Sequence, residues 1–379
     1  MRHHINMLRE FSVPLLAGVA VAIAWANLAP QSYTGFINGP HFGGLSFHFI
    51  SNELFMVLFF GIAAVEITQS CLPGGDLNPI KKAVNPLLGT LGGVLGPIVV
   101  YLSLNSLIGG PALHNGWGIP TATDIALAWL AARVVFGANH PAVSYLLLLA
   151  VADDAIGLGI IAVFYPNPAH PVQPLWLGLT ALGMLLAWLM RRAKLRSYWP
   201  YLLVGGTLSW TGLHHAHLHP ALALVFIIPL LPHAKHEHKH LFEEDPSDHT
   251  TLSRFEHEWK VFVDFGLFMF SLANAGVQFS SVGTVTWLVL AALLAGKTLG
   301  IFSFGWLATR LGFGLPHGMT LRDTLVAGMI AGTGFTVALF VAGEAFTDPA
   351  IQGAAKMGAM LSLSAALFGL LLNRLIPRN

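Results

Sequence analysis

The sequence has little charge. Only 10% of its 379 residues are Asp, Glu, Lys or Arg, against about a quarter in an ordinary soluble domain, while 55% are hydrophobic and the mean hydropathy is +0.67. That shortage excludes a soluble globular chain and makes a bilayer the solvent. The net charge of +1 leaves no basic surface of the kind nucleic acid requires, so that class of partner is excluded too. A single cysteine, Cys71, rules out an intramolecular disulfide and a Cys-based metal or redox motif, and it reads as a packing residue. Heptads, low-complexity tracts and a second domain are also missing, so residues 1–379 read as one transmembrane domain.

What is present is a series of apolar stretches. They fall near 11–29, 53–70, 86–108, 119–133, 141–165, 174–190, 198–213, 219–232, 260–278, 285–309, 322–345 and 351–372, predicting an all-α protein with twelve transmembrane helices. The first stretch is longer than the roughly 7–15 apolar residues of a secretory signal and is expected to be retained as a helix. Charge asymmetry supports the count. Arg2 and Arg9, Lys81 and Lys82, Arg133, the run from Arg191 to Arg196, Lys235 to Lys260, Arg310 with Arg322, and Arg374 with Arg378 fall in alternate loops. The opposite loops, 31–51, 109–121, 166–174, 214–217, 278–284 and 343–351, contain neither Lys nor Arg. By the positive-inside rule both termini are cytoplasmic, as is the His-rich segment 233–258.

Lys297, Asp153 and Asp154 break the pattern by lying at the centres of their stretches. An ionisable group at that depth cannot snorkel to water, since the centre is about 15 Å from either surface at 1.5 Å per residue. A purely structural ion pair needs one acid, and here two are adjacent. Their side chains project about 100° apart, so they meet different neighbours while sharing one field. Low polarity and like-charge repulsion favour a bound proton or cation over bare charge, and carboxylate, hydroxyl and carbonyl oxygens suit a small alkali cation. Two stretches are interrupted at the same depth, by Pro120, Thr121, Thr123 and Asp124 in one and by Gly332, Thr333 and Gly334 in the other. Both read as broken helices, whose half-helix ends create partial charges for Asp124 to offset. The broken stretches are the fourth and eleventh, the middles of two three-span units. Odd-numbered units enter the membrane in opposite senses, which predicts two inverted-topology repeats, helices 3–5 and 10–12, at about 86–165 and 285–372.

The elements Gly116-Trp117-Gly118-Ile119-Pro120-Thr121-Ala122-Thr123-Asp124, Ala152-Asp153-Asp154, Asn274-Ala275-Gly276, Gly296-Lys297-Thr298 and Gly332-Thr333-Gly334-Phe335-Thr336 resemble the NhaA family of Na+/H+ antiporters, in order and along roughly 8–375. The resemblance implies a bacterial inner-membrane transporter, not an enzyme, with crossed broken helices 4 and 11. It implies Na+ or Li+ exchange for H+ with no cofactor, electrogenic at two protons per Na+, serving sodium and pH homeostasis. It makes Asp154 the principal cation and proton carrier, with Asp153 beside it as the second cation ligand and paired with Lys297 in one state. Thr123 contributes to the site and Asp124 balances the half-helix dipoles. Lys297 is charge-compensating or proton-carrying. Glu66, His219 and Glu256 are candidates for pH response, and the 31–51 loop for a homodimer contact.

The sequence also departs from the family pattern. Thr68, Gln69 and Ser70 stand where a basic and an acidic residue are expected after Glu66, while Asp264 and Glu344 are additional acids, read as solvated. Two histidine groups, His214, His215, His217 and His219 at an outer junction and His233, His236, His238 and His240 in the cytoplasmic loop, have spacings able to bind a transition metal or simply to titrate. The competing functions are a related transporter of another cation or a Na+-coupled solute, an intramembrane aspartyl protease, and a retinal protein using Lys297. The protease reading wants acids on facing helices and the retinal reading seven spans.

Overall fold

The computed structural model describes residues 13–73, 75, 80–166, 171–233 and 250–376. Arg2, Arg9, Lys235 and Arg378, which carry part of the charge asymmetry, lie outside them, as do His236, His238 and His240. The described chain is helical, with only an isolated bridge between Pro40 and Ser46. Its helices are α1 (Val13–Leu28), α2 (Pro30–Asn38), α3 (Phe47–Cys71), α4 (Ile80–Ile108), α5 (Ile125–Phe136), α6 (Pro141–Phe164), α7 (Leu177–Arg192), α8 (Thr207–His215), α9 (Thr251–Asn274), α10 (Thr284–Arg310), α11 (Leu321–Ala331), α12 (Thr336–Ala345), α13 (Pro349–Leu361) and α14 (Ser364–Leu375). Six helical stretches are long and apolar enough to cross a bilayer, and eight if each of two bent pairs counts as one span. Pro111–Thr121 and α5 meet at 57°, and α11 and α12 at 51°. This is an all-helical membrane protein with two broken helices. The first break falls at 122–124, just after Pro120 rather than on it, and its leading half is a 3-10 helix.

Local chemistry sets the helix ends. Thr320 and Asp323 form a reciprocal capping box at the start of α11, and Asp348 accepts from the Ala350 amide ahead of α13. Left-handed residues stop three helices: Gly137 follows α5, Lys194 follows α7 and Gly312 follows α10. Cys71, expected to pack inside, is exposed at the end of α3.

The chain divides into two compact units. The first holds the stretches up to Tyr33, Ile80–Gly157 and from Asn274 onward, and the second Thr34–Pro79 and Leu158–Ala273. The core of the first is rich in alanine, with Ala128, Ala131, Ala132, Ala327 and Ala331 buried around Tyr145, Leu146 and Ile330. Small residues matter there because lipid tails are as apolar as leucine, so close backbone packing rather than water exclusion holds helices together. The tightest seam is between α4 and α10, where Gly92 and Gly96 face Gly296 and Gly300 in paired Gly-x3-Gly steps. A Cβ on Gly296 would stand 2.7 Å from Pro97 Cα, and one on Gly300 would strike the Gly92 carbonyl. Gly300→Val is therefore expected to cost about 1–3 kcal/mol or more, read as a lower melting temperature in detergent. Gly314→Ala, with nothing within 4 Å of the added carbon, should melt like the parent.

Candidate functional site

The seam between α4 and α10 places Lys297 directly behind a π turn, Ala292–Gly296, and opposite α6. Such turns widen a helix locally and recur at functional sites. Lys297 and Asp153 are both fully buried and form an ion pair, Nζ donating to Asp153 Oδ2. Nζ also donates to Thr123 Oγ1 at 2.5 Å. That hydroxyl lies 2.7 Å from Asp153 Oδ2 and 3.0 Å from the Ala331 carbonyl, either of which takes its single proton. One lysine, one carboxylate and one hydroxyl thus tie α10, α6 and both helix breaks together.

Asp154 is the next residue of α6, 7% exposed, and adds a second negative charge to the field at Lys297. Asp153 Oδ1 and Thr333 Oγ1 are buried without a hydrogen-bond partner. A buried oxygen left unmatched is costly unless something else occupies it. Hard oxygen donors of this kind fit an alkali cation as cargo.

The two breaks abut. The Asp124 amide donates to the Thr333 carbonyl at 2.7 Å. Asp124 Oδ1 accepts from the Leu127 amide at 3.0 Å, capping α5, while Oδ2 accepts from the Thr336 amide at 3.2 Å, at the start of α12. One buried carboxylate therefore serves two helix N-termini, each the positive end of its dipole. Gly332 and Gly334 permit the approach, since a Cβ on the first would sit 2.7 Å from the Leu293 carbonyl and on the second 2.8 Å from that of Ala122. Asp124→Ala strips both caps, and at about 0.5–2 kcal/mol per cap the loss is roughly 1–4 kcal/mol. Thermal unfolding in detergent checks this, with Asp124→Asn expected to lose less because an amide oxygen still accepts.

In the second unit, Glu66 and Glu256 share Lys260, whose Nζ lies 3.4 Å from Glu66 Oε1 and 3.6 Å from Glu256 Oε1. Gln69 donates to Glu256 Oε2 at 2.8 Å. The sequence reading named the two acids and missed Lys260 and Gln69. The i, i+4 spacing of Glu256 and Lys260 was the available signal. His219 is buried at the start of the 3-10 helix Pro220–Phe226. His214 stacks on Trp210 at 5.0 Å and His215 tilts against Trp176 at 4.7 Å, and these contacts occupy the ring faces without defining a metal site. His233 meets Arg191 at 2.8 Å.

The geometry, two broken helices abutting around buried carboxylates and a lysine, recurs in known proteins. The Na+/H+ antiporter 1 family matches residues 4–372. The Na(+)/H(+) antiporter NhaA 2 of Pelobacter propionicus is 73% identical over 376 residues, covering 99% of this chain and 98% of that protein. The Na(+)/H(+) antiporter NhaA of Geobacter sulfurreducens is 69% identical over 374 residues, with 99% and 98% covered. Among solved structures, the sodium proton antiporter MjNhaP1 from Methanocaldococcus jannaschii superposes with a TM-score of 0.52 at 15% identity, covering 95% of this chain and 97% of that one, a likeness of fold alone. By near-complete sequence identity with its relatives, the chain belongs to the Na+/H+ antiporter 1 family.

Proposed function

We propose that this protein exchanges Na+ or Li+ for protons across the bacterial inner membrane, with Asp154 as the principal carrier and Asp153 as the second ligand. The observation that carries the reading is the buried contact of Asp153, Thr123 and Lys297 beside Asp154, at two abutting helix breaks. When a proton occupies Asp154, the pair between Asp153 and Lys297 balances its own charge and the site is nearly neutral. A sodium ion entering from one side adds a positive charge that the carboxylates accommodate by releasing protons. Ion and proton thus compete for the same oxygens, and competition for one site is what couples their movements in opposite directions.

In this reading the chain works as one transporter of twelve spans with both termini cytoplasmic, built from inverted repeats at about 86–165 and 285–372. Asp124 and the glycines of the second break hold the half-helix ends in place as the site changes the side it faces. Glu66, Glu256 and His219 are candidates for setting the pH range, and a homodimer contact through 31–51 belongs to the same proposal. The test is the collapse of a preset pH gradient in everted vesicles on adding Na+, Li+ or K+ across a range of pH. Collapse with Na+ or Li+ supports the exchange. A response to none of the three cations, in vesicles that contain the folded protein, overturns it.

A further inference from the structure

Three helices carry the same device at their C-terminal ends. The guanidinium carbon of Arg133 lies 4.5 Å from the ring centroid of Trp129, that of Arg192 lies 4.4 Å from Trp188, and that of Arg310 lies 5.3 Å from Trp306. Each is a Trp-x3-Arg step, one helical turn apart, and each arginine lies in the last turn of α5, α7 or α10. The helix stops shortly afterwards, at left-handed Gly137, Lys194 or Gly312. A fourth tryptophan, Trp210, has histidine in the same place: His214 stacks on it at 5.0 Å at the end of α8, a junction without Lys or Arg.

Two of the pairs face outward. Trp188 is 41% and Trp306 42% exposed, and Arg192 and Arg310 are exposed beside them. Above Trp188 on the same helix lie exposed Leu185 and Leu189, and above Trp306 lies exposed Leu299. Each helix therefore presents apolar side chains, then an indole, then a guanidinium, in the order of acyl chain, glycerol region and phosphate in a phospholipid. Arg191 makes the contrast. It is turned into the protein, donating to the Pro229 carbonyl at 3.2 Å and meeting His233 at 2.8 Å. Among the described residues, neither Arg192 nor Arg310 has a carboxylate or hydrogen-bond partner.

Stacking engages only the face of the guanidinium. All of its N–H donors lie in the plane and remain available, and that planar fork matches two oxygens of one phosphate. The indole fixes the plane and thereby reduces the side-chain freedom that binding would otherwise remove. We propose that Trp188 with Arg192, and Trp306 with Arg310, are two binding sites for the phosphate of an anionic phospholipid. Each site lies on a single helix, outside the ion-exchange cluster. The part-buried pair of Trp129 and Arg133 shares the geometry, but the proposal stands on the exposed two.

The test uses the full chain in nanodiscs of phosphatidylcholine alone or with phosphatidylglycerol, reading melting temperature and the lipid retained in native mass spectrometry. Phosphatidylglycerol should raise the melting temperature of the parent and stay bound. Arg192→Gln and Arg310→Gln should each weaken retention at their own site about fivefold, the worth of one basic residue near an anionic surface. Arg192→Lys with Arg310→Lys keeps the charge but loses the stack and the fork, so its retention should fall between parent and Gln variant. Trp188→Leu with Trp306→Leu should behave like the Lys pair. Variants that melt like the parent in phosphatidylcholine alone are folded. Undiminished phosphatidylglycerol retention in the folded Gln variants would overturn the proposal. Parent-like retention in the Lys variant would overturn the Trp-Arg clamp and leave charge alone. Equal stabilisation of the parent by inorganic phosphate would overturn the lipid as occupant.

Discussion

Proteoliposomes carrying Asp154→Asn should move no protons in response to Na+ or Li+, with a signal no larger than that of empty vesicles. The amide keeps the size of the side chain and an oxygen ligand, so the cavity and its packing survive. It cannot take or release a proton, and without that step a cation has nothing to exchange for. Asp153→Asn tests the neighbouring role and should behave differently. Asp153 is bonded to Lys297 and Thr123, so the amide removes the anionic partner of a fully buried ammonium. Breaking one half of a buried pair typically costs about 3–5 kcal/mol when the other half stays charged. Asp153→Asn should therefore lower thermal stability and impair coupling while leaving Asp154 able to carry a proton. Wild-type exchange in folded Asp154→Asn protein would remove Asp154 from the mechanism.

Much of this site was legible in the sequence because a bilayer makes charge conspicuous. Asp153, Asp154 and Lys297 stood out through position alone, and the structure brings Asp153 and Lys297 into contact across 144 residues of chain. The helix breaks were legible from Pro120 and from Gly332 and Gly334, since backbone irregularity at membrane depth must be matched within the protein. The direction of the Asp124 carboxylate was less so. Its capping of α5 is a local pattern, an acid just before an apolar run, but its contact with the Thr336 amide depends on how two distant segments meet. Span boundaries were the weakest reading. Hydropathy cannot tell that Pro111–Thr121 is a 3-10 helix or that π turns widen α3 and α10, because those follow from packing rather than composition. The partners of Glu66 and Glu256 were missed for a related reason. Lys260 was counted with the cytoplasmic charges, whereas in the fold its long side chain turns back to both acids.

Lys297→Gln should leave slower exchange that has lost its response to membrane potential. An ammonium at this depth stays charged only while a carboxylate is beside it, and the partner here is Asp153. If Na+ draws Asp153 away, Lys297 loses its partner and gives up a proton, so two protons leave for one sodium ion and one net charge moves. A net charge crossing 100 mV is worth about 2.3 kcal/mol, which corresponds to roughly a 50-fold shift in the cation gradient that the protein can balance. Glutamine can still hydrogen-bond to Thr123 but has no proton to release in this range. Its Asp153 neighbour is expected to hold a proton instead, so the fold should survive at reduced stability. Exchange measured in proteoliposomes with and without an imposed potential separates the roles. The parent should show the 50-fold shift and Lys297→Gln almost none. A lysine that only locks α10 to α6 predicts the opposite pattern, a lower melting temperature with the voltage response intact, and that result in folded Lys297→Gln protein would remove Lys297 as a proton carrier.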